Sequence, residues 1–135
     1  MTDKLNFELV SPERLLLSEE VEQVTVPGTE GEFGVLAHHA PFMTALRPGM
    51  IKVEGGEGGS RNIFVWGGFA EVNEHGLTIL AEEAQMIEDV DFDALAQRIK
   101  NLEEDVTDYE DAEKKEEARD RLWHIQQMVE AAKAS

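Results

Sequence analysis

Residues 87–135 contain neither glycine nor proline, and all eleven glycines and all four prolines of the chain lie before them. Glycine and proline are the strongest local punctuation of regular structure, so a stretch this long without either reads as helical. The part that holds them has a different rhythm, with apolar residues at short and often alternating spacing. The sequence therefore divides into two domains of different class, residues 1–86 and residues 87–135.

The first domain reads as strands. Leu5, Phe7 and Leu9 alternate with Asn6 and Glu8, as a half-buried strand requires. Glu20 to Val26 is a second candidate, in which Val21 and Val24 break the period of two and suggest a bulge. Met50 to Glu54 follows the Arg47-Pro48-Gly49 turn, and the Gly55 to Gly59 loop then leads into Asn62 to Trp66. Gly67-Gly68 bends the chain into Phe69 to Val72, and Asn73 to Gly76 turns it into Leu77 to Leu80. Short strands at close spacing with glycine-rich turns predict a β-sandwich or barrel.

The second domain reads as an antiparallel helical hairpin. Phe92, Leu95, Ile99 and Leu102 form one apolar stripe, with Asp91 as N-cap and Asp93 adding negative charge to the first turn. The stripe ends near Val106. Thr107-Asp108-Tyr109-Glu110 has the form of a capping box and predicts a second helix from there. In that helix Leu122, Ile125, Val129 and Ala132 make a seam, whereas Asp111 to Glu117 offers almost nothing to bury. Trp66 is expected in the core and Trp123 in the helix seam.

The balance of charge excludes several functions. A formal net charge of −17 repels phosphate backbones and anionic lipid heads, so neither nucleic acid nor a membrane surface is an expected partner. A protein partner, and a basic one, fits better. No apolar run approaches the ~20 residues of a spanning helix, so direct membrane insertion is not expected. Met1-Thr2-Asp3-Lys4 starts neither a signal core nor a transit segment, which predicts that the chain stays where it is made. There is no cysteine, hence no disulfide, thiolate metal site or cysteine nucleophile.

No motif carries catalysis. The glycines from Gly28 to Gly34 lack the Gly-Lys-Ser/Thr of a phosphate loop and read as a tight loop between strands. His38 and His39 are neighbours, which point apart on a strand, and His75 and His124 belong to other elements, so a structural or interface role is expected rather than metal binding. The carboxylates from Glu82 to Asp93 lack the pattern of an EF-hand and read as a solvated linker. No Ser/His/Asp arrangement stands out.

Val26-Pro27-Gly28-Thr29-Glu30-Gly31-Glu32-Phe33-Gly34-Val35-Leu36, His39-Ala40-Pro41 and Leu46-Arg47-Pro48-Gly49 together resemble the signature stretch of the epsilon subunits of bacterial F-type ATP synthases. Gly67-Gly68-Phe69-Ala70-Glu71-Val72 with Leu77 to Ala81 is similar to that family's second block. The resemblance covers residues 4 to about 84, and the helices by pattern only. It implies a non-catalytic rotor subunit, peripheral on the cytoplasmic face of the bacterial inner membrane, in a complex that makes ATP from a proton gradient. Its implied partners are the gamma subunit, through His39, Ala40 and Pro41, and the ring of membrane c subunits, through Thr29, Gly31 and Glu32. The hairpin would reach the catalytic alpha/beta head when extended and there oppose ATP hydrolysis.

Some members of that family hold ATP with an Ile/Leu-Asp-x-x-Arg-Ala motif. The matching stretch here is Val90 to Leu95, in which Asp91 is present and Ala94 stands in place of the arginine. On the second helix one family arginine matches Arg121 and another falls on Glu117. Phosphates need cationic partners, so no cofactor is expected and ATP binding should be weak or absent. Two other readings remain open on the sequence. One is the mitochondrial delta subunit, which shares the fold; the other is a free-standing sandwich that binds a small ligand or sugar.

Overall fold

The computed structural model describes residues 4–57 and 59–134. The start of the N-terminal segment, Met1-Thr2-Asp3, and Gly58 of the glycine loop lie outside the described residues. The chain forms two compact units, Met1–Ile87 and Glu88–Ser135.

Among the described residues the first unit holds ten strands. β1 is Leu5–Val10, β2 Leu15–Val21, β3 Gln23–Gly28, β4 Gly31–Leu36 and β5 Phe42–Leu46. β6 is Gly49–Gly56, β7 Gly59–Val65, β8 Gly68–Asn73, β9 Gly76–Ala81 and β10 Ala84–Met86. They are hydrogen-bonded in the order β10-β7-β6-β3-β5-β8-β9-β1-β2, with β4 on β3. All pairs are antiparallel except β1 with β9. β3 meets β5 at one residue pair only, Gly28 with Leu46. At that narrow bridge the sheet folds over into the two layers of a sandwich.

Alternation decides what goes inside. Leu5, Phe7 and Leu9 of β1 are buried, as are Val24 and Val26 of β3, Ile51 and Val53 of β6, and Leu77 and Ile79 of β9. Successive strand residues face opposite sides, so one face of each strand fills the space between the layers. Trp66 is buried too, its ring tilted at 58° to that of Phe64 with centroids 5.6 Å apart. Glu19 of β2 and Arg61 of β7 form an ion pair from opposite layers, with 7% and 20% of their side chains accessible.

The Glu20–Val26 candidate is two strands. They part at Glu22, whose N–H donates to the Glu54 carbonyl at 2.9 Å. The irregular valines thus mark a change of strand rather than a bulge within one.

A 3-10 turn, Ile87–Asp89, spans the boundary between the units, and the second unit holds α1, Phe92–Asp108, and α2, Ala112–Ala134. Asp91 caps α1 as expected, accepting from the N–H groups of Asp93 at 3.0 Å and Ala94 at 3.2 Å. Thr107 does not cap α2. Its hydroxyl donates back to the Glu104 carbonyl at 2.7 Å, inside α1. Asp111 takes the role instead, accepting from the N–H of Glu113 at 2.9 Å and of Lys114 at 3.4 Å. The link Tyr109–Asp111 is too short for anything but antiparallel helices. Ile125, Met128, Val129 and Ala132 of α2 are buried, whereas Trp123, expected in the seam, is 54% exposed. Its position falls one residue off the Leu122–Ile125–Val129 stripe, on the flank of the helix.

Candidate interaction surfaces

The two groups of residues implied by the resemblance lie at opposite ends of the sandwich. β4 runs from one to the other, about 17 Å at the usual rise of a strand. Thr29 and Glu30 form the two-residue turn of the β3–β4 hairpin, closed by the Gly28–Gly31 pair. The Thr29 N–H donates to the Ala45 carbonyl at 3.0 Å and the Arg47 N–H to the Pro27 carbonyl at 3.1 Å, so the tip is fastened to β5 and the turn after it. Thr29 and Glu32 are exposed there, and Gly31 has a φ of 134°. The tip presents the carboxylates of Glu30 and Glu32 and the Thr29 hydroxyl to solvent on a backbone that is held.

At the other end, Ala37–Pro41 connects β4 to β5. The His39 N–H donates to the Leu36 carbonyl at 3.2 Å, closing a turn in which His38 takes a φ of 66°. A left-handed backbone is uncommon outside glycine and is retained where the surroundings enforce it. Phe33 and Phe42 meet edge to face across this connection, with centroids 5.3 Å apart. The His39 ring Nδ1 lies 2.7 Å from the Ala40 carbonyl oxygen.

The β8–β9 turn comes to the same place. Its His75 N–H donates to the Asn73 side-chain oxygen at 2.8 Å, and the Asn6 amide donates to the His75 carbonyl at 3.1 Å. A side chain at Gly76, where φ is 135°, would run into the Asn6 carbonyl. His38, His39 and His75 thereby line one groove of about 400 Å³ with Lys4 and Glu74. Sequence spacing set His75 apart from the other two; the pairing of β5 with β8, in which Phe42 lies opposite Val72, brings them together. Among the described residues no group of three or more His, Asp or Glu side chains is placed to hold a metal ion.

A third surface escaped the sequence reading. Ala45, Phe69, Leu80, Val10 and Leu15 are cross-strand neighbours on β5, β8, β9, β1 and β2. All five sit on the outer face, where alternation should place polar residues. Phe69 is 57%, Leu80 54% and Leu15 55% exposed. The next row outward is polar, with Glu71, Thr78 and Glu8 in register. A contiguous apolar row on a solvent face marks an interaction site. The signal was present in the sequence as Phe69 and Leu80 at the outward parity of their strands.

Asp91 and Arg121 do not form a site. The Gln126 amide donates to the Glu103 carboxylate at 2.9 Å, fixing the level of α2 against α1. Asp91 lies about 18 Å down α1 from that tie, at 1.5 Å per residue, and Arg121 lies on its other side in an antiparallel pair. The Asp91 carboxylate is moreover occupied as the cap of α1.

Comparison with known proteins follows the same lines. Residues 4–87 match the beta-sandwich domain of the ATP synthase delta/epsilon chain. The ATP synthase epsilon chain of Maricaulis maris is 52% identical over 99% of this chain and 97% of its own length. That of Parvibaculum lavamentivorans is 47% identical over 95% and 97%. Among solved structures, a chain of the mitochondrial ATP synthase of Euglena gracilis, in its OSCP/F1/c-ring assembly, superimposes with a TM-score of 0.75 at 30% identity. The match covers 96% of this chain and 81% of that one.

Proposed function

The chain belongs to the ATP synthase delta/epsilon family, and from that premise we propose that it is a non-catalytic subunit of the central stalk of a proton-translocating F-type ATP synthase. In this reading the sandwich grips the gamma subunit and rests on the c-ring, so that rotation of the ring reaches the catalytic head. The protein then works as a peripheral subunit on the cytoplasmic face of the inner membrane. No helix among the described residues is long and apolar enough to cross a membrane.

The apolar row across β5, β8, β9, β1 and β2 carries this reading. Covering three exposed large apolar side chains, each worth roughly 1.5–3 kcal/mol when fully buried, is what a lasting subunit contact supplies. The Thr29–Glu32 tip is the opposite kind of surface, polar and small, suited to polar loops of a ring. His39, Ala40 and Pro41 extend the gamma contact to the far end. The two-domain organisation, residues 1–86 and 87–135, lets the hairpin act separately from the grip.

Co-purification tests the reading. A tagged chain should bring down the whole ATPase, and Phe69→Glu with Leu80→Glu should abolish the capture while the sandwich stays folded. Capture undiminished by the double substitution would remove the row from the interface. The hairpin would reach the alpha/beta head when extended, but acidic groups outnumber basic ones over residues 108–121, and a head with acidic loops would oppose it. Deleting residues 88–135 should therefore raise ATP hydrolysis only slightly; a large rise would show a strong brake. Calorimetry with Mg-ATP should find no micromolar binding, since Ala94 and Glu117 leave the phosphates without cations.

A further inference from the structure

Resting on the assignment of the apolar row to the gamma contact, we propose that the row receives a single amphipathic helix of the partner. The helix lies across the strands and carries two cationic side chains, seven residues apart, along one flank of its apolar stripe.

The row is long and narrow. Ala45, Phe69, Leu80, Val10 and Leu15 follow one another in the hydrogen-bonding direction of β5, β8, β9, β1 and β2. Four strand intervals of ~4.8 Å give it a length of about 19 Å. On one side the next outward residues are Glu71, Thr78, Glu8 and Ser18, with Met43 as an apolar exception at the β5 end. On the other side β8, β9, β1 and β2 end within one residue of the row, and the exposed Glu13 and Glu82 follow.

That shape selects the occupant. A strand cannot add along the row, because β8, β9 and β1 are paired on both sides and offer no free edge. A second sheet stacks on successive outward residues of each strand. Here Phe69 is followed outward by Glu71, and Leu80 and Val10 are preceded by Thr78 and Glu8. A helix satisfies its own backbone and presents one apolar stripe. At 1.5 Å per residue, about 13 residues, between three and four turns, cover the row.

The polar flank sets the charge of that helix. Glu71 and Glu8 are both exposed, and among the described residues neither has a cationic partner. Glu71 accepts from the Asn73 side-chain amide at 3.2 Å. The two carboxylates stand two strands apart, ~10 Å. Positions i and i+7 of a helix share a face and lie ~10.5 Å apart, so a lysine or arginine at each meets one carboxylate. A second copy of this chain would bring its own formal charge of −17 against the same carboxylates.

Photocrosslinking of the full chain, mixed with the gamma subunit of its synthase, tests the geometry. Leu15, Phe69 and Leu80 are replaced one at a time by benzoylphenylalanine, and the adducts are mapped by mass spectrometry. All three should fall within one segment of gamma about 13 residues long, at spacings of three and four. Adducts scattered over separate segments, or alternating at a spacing of two, overturn the helix and leave the gamma contact standing. Adducts to a second copy of the chain overturn the occupant. Absence of any adduct, with no binding of gamma by the wild-type chain, removes the gamma contact as well. Glu8→Lys with Glu71→Lys should weaken binding at least about tenfold, while Ser18→Lys, at the end of the same row, should change it little. Binding undiminished by the double reversal overturns the cationic flank. Dispersed amide spectra confirm that each variant is folded.

Discussion

The sandwich and the helical unit differ in how much core they make even for their lengths, Met1–Ile87 against Glu88–Ser135. In the sandwich β1, β6, β8 and β9 send alternate side chains inward, and residues far apart in sequence, such as Phe7, Val24, Ile51 and Ile79, are fully buried together. In the helical unit Leu95 and Val106 are the buried residues of α1, and between Ala112 and Arg121 α2 buries none. At ~25 cal/mol per Å² of apolar surface, burial holds the first far more firmly than the second. In the rotor role proposed above, the first kind of region would transmit torque and the second kind would change position.

The largest contrast is expected on cutting the chain. Residues 1–86 alone should give a dispersed amide spectrum, because their core is complete. Residues 87–135 alone should be mostly unfolded, since isolated helices are marginal without packing. The chain end of α1 adds to this, with Asp105 and Asp108 placed where the helix dipole favours cations. An unfolded 1–86 fragment breaks the comparison outright.

Next in size is the removal of one ring. Phe7→Ala empties a fully buried position between the layers and should destabilise the sandwich by about 3–5 kcal/mol in denaturant unfolding. A loss under about 1 kcal/mol would mean that the core collapses around the gap and is softer than its burial suggests.

What the sequence disclosed, and what it hid, divides along the same line. β1 was legible because Leu5-Asn6-Phe7-Glu8-Leu9 alternates without interruption and faces the core along its length. β4 and β5 were not. Gly31 and Gly34 punctuate β4, and β5 opens on Phe42 and Met43, both exposed, so neither strand shows a clean period of two. The start of α2 was misplaced because Thr107 and Asp111 are both competent caps, and the Thr107 hydroxyl is taken by the Glu104 carbonyl one turn back, where α1 continues to Asp108. The tip and the turn that carry the family signature were readable as residues. Their placement at opposite ends was not, for it depends on strand order. The histidine groove and the apolar row are products of cross-strand pairing, to which a linear pattern is blind.

A smaller effect separates the two helices from the strands they follow. Asp91→Ala removes the acceptor of two N–H groups at the start of α1 and should destabilise the hairpin by about 1 kcal/mol. Amide exchange should then quicken in α1 and stay unchanged in β1 and β9. Uniform quickening across both units would show that they open together, contrary to the difference drawn between them.

The smallest effect is the most discriminating, because each unit carries one tryptophan. Trp66 is buried against Phe64, whereas Trp123 is 54% exposed and touches His124 edge to face at 5.0 Å. Trp123→Phe removes little buried area, so the change in stability should stay within about 0.5 kcal/mol. The variant leaves Trp66 as the sole indole, reporting on the sandwich alone with blue-shifted emission and slow quenching by acrylamide. The reciprocal Trp66→Phe variant reports on the hairpin through Trp123, with red-shifted emission and fast quenching. Followed in denaturant, the Trp123 signal should move first and over a shallower slope, since less surface is exposed when the hairpin opens. Two separate midpoints would measure how lightly the hairpin is held, in the free energy that local opening requires. A single shared midpoint would make the chain one cooperative unit, and the division of labour between a rigid grip and a movable arm would fail with it.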